Sequence, residues 1–267
     1  TKSSSLMDTI GQYPQELLSL LGGTNITDSD GHYMMQCIRS NRASAGSDGS
    51  VQNRTGGHAF CISDNSFTRA IWGQAQTVGT KREMSSLRSE HGGPLGILLL
   101  LHAMTIFYQP SLPNALPIYI DNSEVVRRGQ EPTPKLGIKQ QLVLDYDLWA
   151  TTERLLKVLP YKIRWKWVKG HQKLGKGKKW KLEVALNNFC DRKAEGARTL
   201  HLGGCTDPFF PDQKIGITRQ GERFHGSPRE AIAEAKHDLD LKQFICTKTK
   251  WTPEIFDSVD WEGFSAF

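Results

Sequence analysis

The chain has 267 residues, enough for one large folded domain with an appendage. Hydrophobic residues make up 38% and charged residues 23%, which excludes a disordered or collagen-like chain and fits a globular one. The formal net charge of +6 mildly favours a polyanionic partner, although an excess of lysine is also common on ordinary surfaces.

The longest apolar run, 97–101, is too short to span a bilayer. No basic stretch followed by an apolar run marks a signal peptide. Five cysteines, Cys37, Cys61, Cys190, Cys205 and Cys246, show no metal-type spacing. Their odd number and wide scatter predict reduced thiols and an intracellular setting, with nothing to separate nucleus from cytoplasm.

Three parts follow one another. Residues 1–40 hold two short helical stretches, 14–21 and 32–40, split by a Gly-Gly pair and a polar loop, and read as an N-terminal helical extension. Residues 41–203 carry the clearest pattern. A first strand is expected before Asp48, although "RASAG" (42–46) lacks the bulky side chains of a central strand and predicts a short or mispaired one. "GHAFCIS" (57–63) and "FTRAIWGQAQTVG" (67–79) read as strands joined by an Asp-Asn-Ser turn. From 84 to 104 the pattern is helical and strongly apolar, and Pro94 predicts a kink or restart four residues after Glu90. "LPIYIDN" (116–122) is a short strand ending on an acid, and 139–159 is a helix. "YKIRWKWV" (161–168) alternates strictly. Tyr161, Ile163, Trp165 and Trp167 share one face, expected to be core; Lys162, Arg164 and Lys166 share the other. A last helix runs over 182–200.

Residues 204–267 form a C-terminal accessory segment behind a Pro-rich link. "SPRE" (227–230) is a helix start, with Ser227 as N-cap, Pro228 at the first position and Glu230 closing a capping box; the helix runs to about 245. Thr252 and Pro253 start another. Trp251, Phe256, Trp261 and Phe264 are expected to pack on something. The whole order predicts an α/β fold: a hairpin sheet extended by helix-linked parallel strands, five in all, flanked by helices, with a small C-terminal extension.

Four acids stand out by position: Asp48 after the first strand, Glu90 in the first long helix, Asp121 ending "IYI", and Asp191 in the last helix of the middle region. Each has an ordinary reading alone. Asp48 lies in a Ser-Asp-Gly turn signal, Asp121-Asn122 suits a helix N-cap, and Glu90 and Asp191 suit solvated helix faces. Together they lie where open sheets gather ligands, beyond the carboxyl ends of parallel strands.

The middle region resembles a ribonuclease H domain, in the version found in retroelement reverse transcriptases. The matching elements are "SDGS" with Asp48, "SLRSEHGG" with Glu90, "YIDN" with Asp121, "WVKGHQ" with His171 and "NNFCDRKAEGA" with Asp191, in the family's order on about 160 residues. The resemblance implies a ribonuclease H-like fold and an endonuclease that hydrolyses the RNA strand of RNA–DNA hybrids. It implies two Mg²⁺ ions, replaceable by Mn²⁺, with Asp48 bridging them, Glu90 and Asp121 completing one shell and Asp191 serving the other. Four converging carboxylates do need cations between them, and oxygen ligands suit Mg²⁺ or Mn²⁺. Two such ions roughly 4 Å apart suit in-line phosphoryl displacement. His171 is expected to move a proton or escort product, since an imidazole ordinarily titrates near neutral pH. A catalytically impaired binding module and a DNA-acting nuclease on the same fold are the alternatives.

The segment 161–181 holds nine lysines and arginines and no acid, so the rest of the chain sums to −3 (6 − 9). Beside an acidic site this fits neutralisation of phosphates. Lys169, Lys173, Lys176, Lys178, Lys179 and Lys181 are the candidate contacts, with Trp180 able to stack on a sugar or base. The rival reading is a solvated loop, and for Lys162, Arg164 and Lys166 an edge strand protected by charge.

Overall fold

The structure, a computed structural model, describes residues 5–26, 29–80, 84–109, 114–131, 145–172, 180–199, 209, 211–213, 216, 218–219, 222–223 and 228–259. The elements in chain order are α1 (Leu6–Ile10), α2 (Gln15–Leu21), β1 (Gly23–Ile26), a 3₁₀ turn (Ser29–Gly31), α3 (His32–Arg39), β2 (Ala43–Gln52), β3 (Thr55–Asp64), β4 (Ala70–Gln76), α4 (Ser86–Tyr108), β5 (Ala115–Ile120), α5 (Ser123–Gln130), α6 (Tyr146–Val158), β6 (Lys162–Trp167) and α7 (Leu182–Ala197). The tail adds β7 (Thr218–Arg219), β8 (Glu222–Arg223), α8 (Pro228–Thr249) and α9 (Pro253–Asp257).

Among the described residues, six strands form one mixed sheet in the order β1-β4-β3-β2-β5-β6. The β1–β4, β4–β3 and β3–β2 pairs are antiparallel, and β2–β5 and β5–β6 are parallel. The two halves are those the pattern predicts: hairpins first, then strands reached through helices. The strand count needs correcting from five to six. β1 comes from the segment read as a polar loop. Gly-Thr-Asn-Ile shows no apolar alternation, and the free edge of β4 supplies its pairing, from Gly23 opposite Gln74 to Ile26 opposite Ile71. The pattern also missed α1 and α5. α1 is a single turn capped by Ser5, which accepts from the Asp8 N–H, and α5 is dominated by charge.

β2 is neither short nor mispaired. It is ten residues long and fully paired with β3, from Ala43 opposite Asp64 to Gln52 opposite Thr55. Asp48 therefore lies inside the strand, and the turn comes later, at Asn53 and Arg54, whose φ angles of 51° and 57° suit a tight hairpin. The small side chains of β2 have a packing reason. A Cβ on Gly46 would lie 2.8 Å from Leu186 Cβ in α7, and one on Gly49 would meet the Glu90 backbone in α4. Helices approach both faces of the strand too closely for larger residues.

α4 runs unbroken through Pro94, so the predicted restart does not occur. Its first half lies hard against the sheet, with Gly92 on the His58 ring and Gly93 on Ser47 and the Ala59 carbonyl. By length and composition α4 could cross a membrane. Instead its apolar circumference is enclosed by β2 and β3 on one side and α1, α2 and α6 on the other. The main core gathers Leu98–Leu101 of this helix with Phe60, Ile62, Ile118 and Ile120 of the sheet. Leu6, Leu20, Leu21 and Ile38, from the N-terminal helices, join the same cluster. A smaller cluster of Ala59, Cys61, Leu186, Cys190 and Ala194 lies under α7.

In the tail, α8 begins at Pro228 and extends to Thr249, four residues past the expected end; Ser227 lies outside the described residues. Thr252 caps α9 by accepting from the Ile255 N–H, and Lys242 reaches back from α8 to Asp257 at 2.7 Å. Trp251 remains 37% exposed; Trp261 and Phe264 lie outside the described residues.

Candidate metal centre

Three of the four predicted carboxylates meet. Asp48, Glu90 and Asp121 each present an oxygen within 4.8 Å of the others. They arrive from three elements: mid-β2, the second turn of α4, and the residue after β5. Asp121 is free for this because its neighbour takes the capping duty: Asn122 Oδ1 accepts from the Glu124 and Val125 N–H groups at the start of α5. The hairpin-and-crossover topology puts β2 beside β5, which is why residues 73 apart in sequence adjoin.

The surroundings are tight. The Gly49 N–H donates to Asp48 Oδ1 at 2.8 Å, and Asn187 Nδ2 donates to Asp48 Oδ2 at 3.3 Å. Gly170 lies so close to Asp121 that a Cβ there would strike Oδ2. Glu90 Oε2 is buried without a hydrogen-bond partner among the described residues. Burial, then the charges of Asp121 and Asp191, push the Asp48 carboxyl up to about 8. Burial, followed by Asp48 and Asp121, holds Glu90 well above the usual carboxylate range. Burial also raises Asp121, against the opposing pull of His171. Without a cation the cluster therefore keeps protons that ordinary carboxylates lose near pH 4.

Asp191 stands outside the three-membered group. It sits on α7, one turn beyond Asn187, with His171 Nδ1 at 3.6 Å from its Oδ2. It is near enough for its charge to act on all three others. His171 is exposed, in a loop after β6, with φ 48°.

Asn187 escaped the sequence reading. It is 2% exposed and donates to Asp48 while also holding Asp121 down by a side-chain hydrogen bond. Its signal was the i, i+4 spacing to Asp191, which puts both on one helix face.

The start of α4 has its own anchor. Arg88, fully buried, donates to the Val78 carbonyl at 2.7 Å, to Asp145 Oδ1 at 3.1 Å and to both oxygens of Asp147 at 3.1 and 2.9 Å. This ties the turn carrying Glu90 to the first turn of α6.

Of the predicted basic contacts, Lys169, next to Gly170, and Lys181, just before α7, are exposed, and Trp180 is 37% exposed. Lys173, Lys176, Lys178 and Lys179 lie outside the described residues. One core assignment is overturned. Tyr161 and Trp165 are buried and Ile163 half-buried, but Trp167, on the same face, is 57% exposed. α5 covers Trp165, with Gly129 against its ring, and leaves Trp167 open at the strand's end.

No protein-family profile and no curated protein sequence matches the chain. Solved structures similar to it include the N-terminal RNase H domain of a Mycobacterium tuberculosis protein, fused to maltose-binding protein. It is 13% identical, with a TM-score of 0.37 over 58% of this chain and 92% of that one. LC11-RNase H1, in complex with an RNA/DNA hybrid, is 10% identical, with a TM-score of 0.38 over 58% of this chain and 96% of that one. RNase H1 from the halophilic archaeon Halobacterium salinarum is 14% identical, with a TM-score of 0.36 over 58% and 96%.

Proposed function

We propose that this chain is a metal-dependent endonuclease that hydrolyses the RNA strand of RNA–DNA hybrids. The observation that carries the reading is the meeting of Asp48, Glu90 and Asp121 from three elements within 4.8 Å. The residues fit a hard divalent cation: an all-oxygen donor set, an unpartnered buried Glu90 Oε2, and carboxyls whose retained protons such an ion displaces. Mg²⁺, with Mn²⁺ as substitute, is the ion that set favours. When bound, a pair of such ions supplies Lewis acidity for in-line phosphodiester hydrolysis.

The chain's own residues then orient and move protons. Asp48, Glu90 and Asp121 would hold one ion, and Asp191 would serve a second with Asp48. The Gly49 N–H and Asn187 fix the plane of the Asp48 carboxylate. His171 keeps Nδ1 toward Asp191 and leaves Nε2 to carry a proton at the mouth of the site. Lys169, Lys181 and the lysines between them in sequence neutralise phosphates, so binding weakens with salt. Duplex shape and 2′-hydroxyls, rather than base order, select the hybrid. The motif resemblance to reverse transcriptases extends this reading to a retroelement origin.

Cleavage of a strand-labelled RNA–DNA hybrid with Mg²⁺, Mn²⁺ or EDTA, beside Asp48→Asn and a DNA duplex, tests it. Metal-dependent loss of the RNA strand, absent in Asp48→Asn with an unchanged far-UV spectrum, is the expected result. Full activity in Asp48→Asn sinks the site. Preferential cleavage of DNA duplex replaces the substrate, and hybrid binding without turnover in either metal leaves a non-catalytic module.

A further inference from the structure

We propose that Trp167 is a stacking platform for the nucleic-acid substrate at the rim of the carboxylate cluster. The inference rests on the nuclease reading of that cluster and adds a substrate-contacting residue to it.

The strand pattern assigns Trp167 to the core, and the structure turns it out. It is 57% exposed at the end of β6, while Trp165, two residues back on the same face, is 6% exposed. Leaving much of an indole in water forgoes burial that a large apolar side chain would otherwise gain. The ring is nevertheless held in place. Its Nε1–H donates to the Asp121 carbonyl at 2.9 Å, and Trp167 pairs in register with Ile120, the residue before Asp121.

Two consequences follow from that bond. The indole is tied to the backbone of a candidate ligand, so a sugar or unpaired base resting on it is placed relative to the acidic cluster. The only polar atom of the ring is already engaged, so what remains for a partner is its π-face. A π-face reads no sequence: it can rest on a sugar of the hybrid, whose bases are stacked within the duplex, or on a base at an unpaired position. The neighbourhood is favourable for a polyanion: Lys169, two residues on, is exposed, and Gly170 lies close against the Asp121 carboxyl. Trp180, just before α7, gives a second exposed ring.

Trp167→Ala, Trp167→Phe and the wild-type chain separate this role from a structural one. Hybrid affinity is measured in EDTA, where cleavage does not interfere, and KM and kcat are measured in Mg²⁺. Stacking predicts a roughly tenfold weaker hybrid affinity and higher KM in Trp167→Ala, with kcat within about threefold. It predicts near-wild-type affinity in Trp167→Phe, which keeps a π-face and loses the N–H. Indole quenching by single-stranded DNA should also shrink in Trp167→Phe. Unchanged affinity in Trp167→Ala overturns the proposal. So does a Trp167→Phe variant as impaired as Trp167→Ala through kcat alone, because the bond to Asp121 is then the whole contribution. A wild-type chain that binds hybrid without cutting it fails the nuclease reading, while the Ala and Phe affinities still decide the role of the ring.

Discussion

Both oxygens of Asp48 have a donor, the Gly49 N–H on one and the Asn187 amide on the other, and the two donors differ in replaceability. The backbone N–H survives any substitution but proline. Asn187 does not, and it serves Asp121 as well. Asn187→Ala leaves the buried Asp48 and the half-buried Asp121 each short of a donor. Supporting residues of this kind typically contribute 10–100-fold to metal affinity or activity. Cleavage by Asn187→Ala should therefore fall by about that factor at limiting Mg²⁺ and recover in part at high Mg²⁺. A Mg²⁺ titration of the cleavage rate checks this, and an unchanged midpoint would remove Asn187 from the site. Asn187 also illustrates what a residue pattern conceals. It stands next to Asn188 in "NNFCD", two identical side chains of which one faces Asp48 and the other bonds the Gln172 carbonyl.

Glu90 reaches the cluster because α4 is held at both faces. On the sheet side, Gly49, Gly92 and Gly93 let the helix backbone lie against β2 and β3. On the other side, Arg88 is clamped by Asp145 and Asp147. Removing a buried guanidinium strands two carboxylates. Arg88→Ala should lose about 3–5 kcal/mol of stability by chemical unfolding, whereas loss below about 1 kcal/mol would mean that the clamp is not energetically coupled. On the opposite face of β2, Gly46→Ala puts a methyl group 2.8 Å from Leu186 Cβ. Overpacking of this kind costs about 1–3 kcal/mol, and a calorimetric midpoint equal to wild type would show that α7 can give way. The same contacts explain why "RASAG" misleads. Strand propensity rewards bulky side chains, but a strand gripped by helices on both faces selects for small ones.

For the molecule as a whole, titration in the metal-free state opposes folding from both ends of the pH scale. Burial pushes His58 down to about 4 and His91 to about 3. Below pH 6.5 the unfolded chain binds protons that these native imidazoles refuse, so stability falls as pH drops. Asp48 acts in the opposite sense. With its folded value raised to about 8, the native state keeps a proton that the unfolded state releases near pH 4, so stability falls as pH rises through that window. Between pH 6.5 and 8 the carboxyl slope remains without the opposing histidine slope, at up to about 1.4 kcal/mol per pH unit per proton. The unfolding midpoint in EDTA should decline across that interval. Mg²⁺ should flatten the decline by favouring the ionised cluster, and Asp48→Asn should reduce it without metal. A flat profile in EDTA would show that the cluster is not protonated when empty.

Periodicity made the long apolar helix, the helix-linked strands and the mixed sheet legible, because those elements are selected by burial on one face or all round. The order of "SDGS", "SLRSEHGG", "YIDN", "WVKGHQ" and "NNFCDRKAEGA" singled out the acids, because each motif is local. What only the tertiary structure decided was contact between distant segments. β1 became a strand through the free edge of β4, Asp48 moved from a turn into a strand gripped by two helices, Pro94 left α4 unbroken, and Trp167 came out of the core. Each outcome depends on what lies across from a residue rather than beside it. A one-dimensional pattern reports how often a side chain turns inward, but not whether another element is there to cover it.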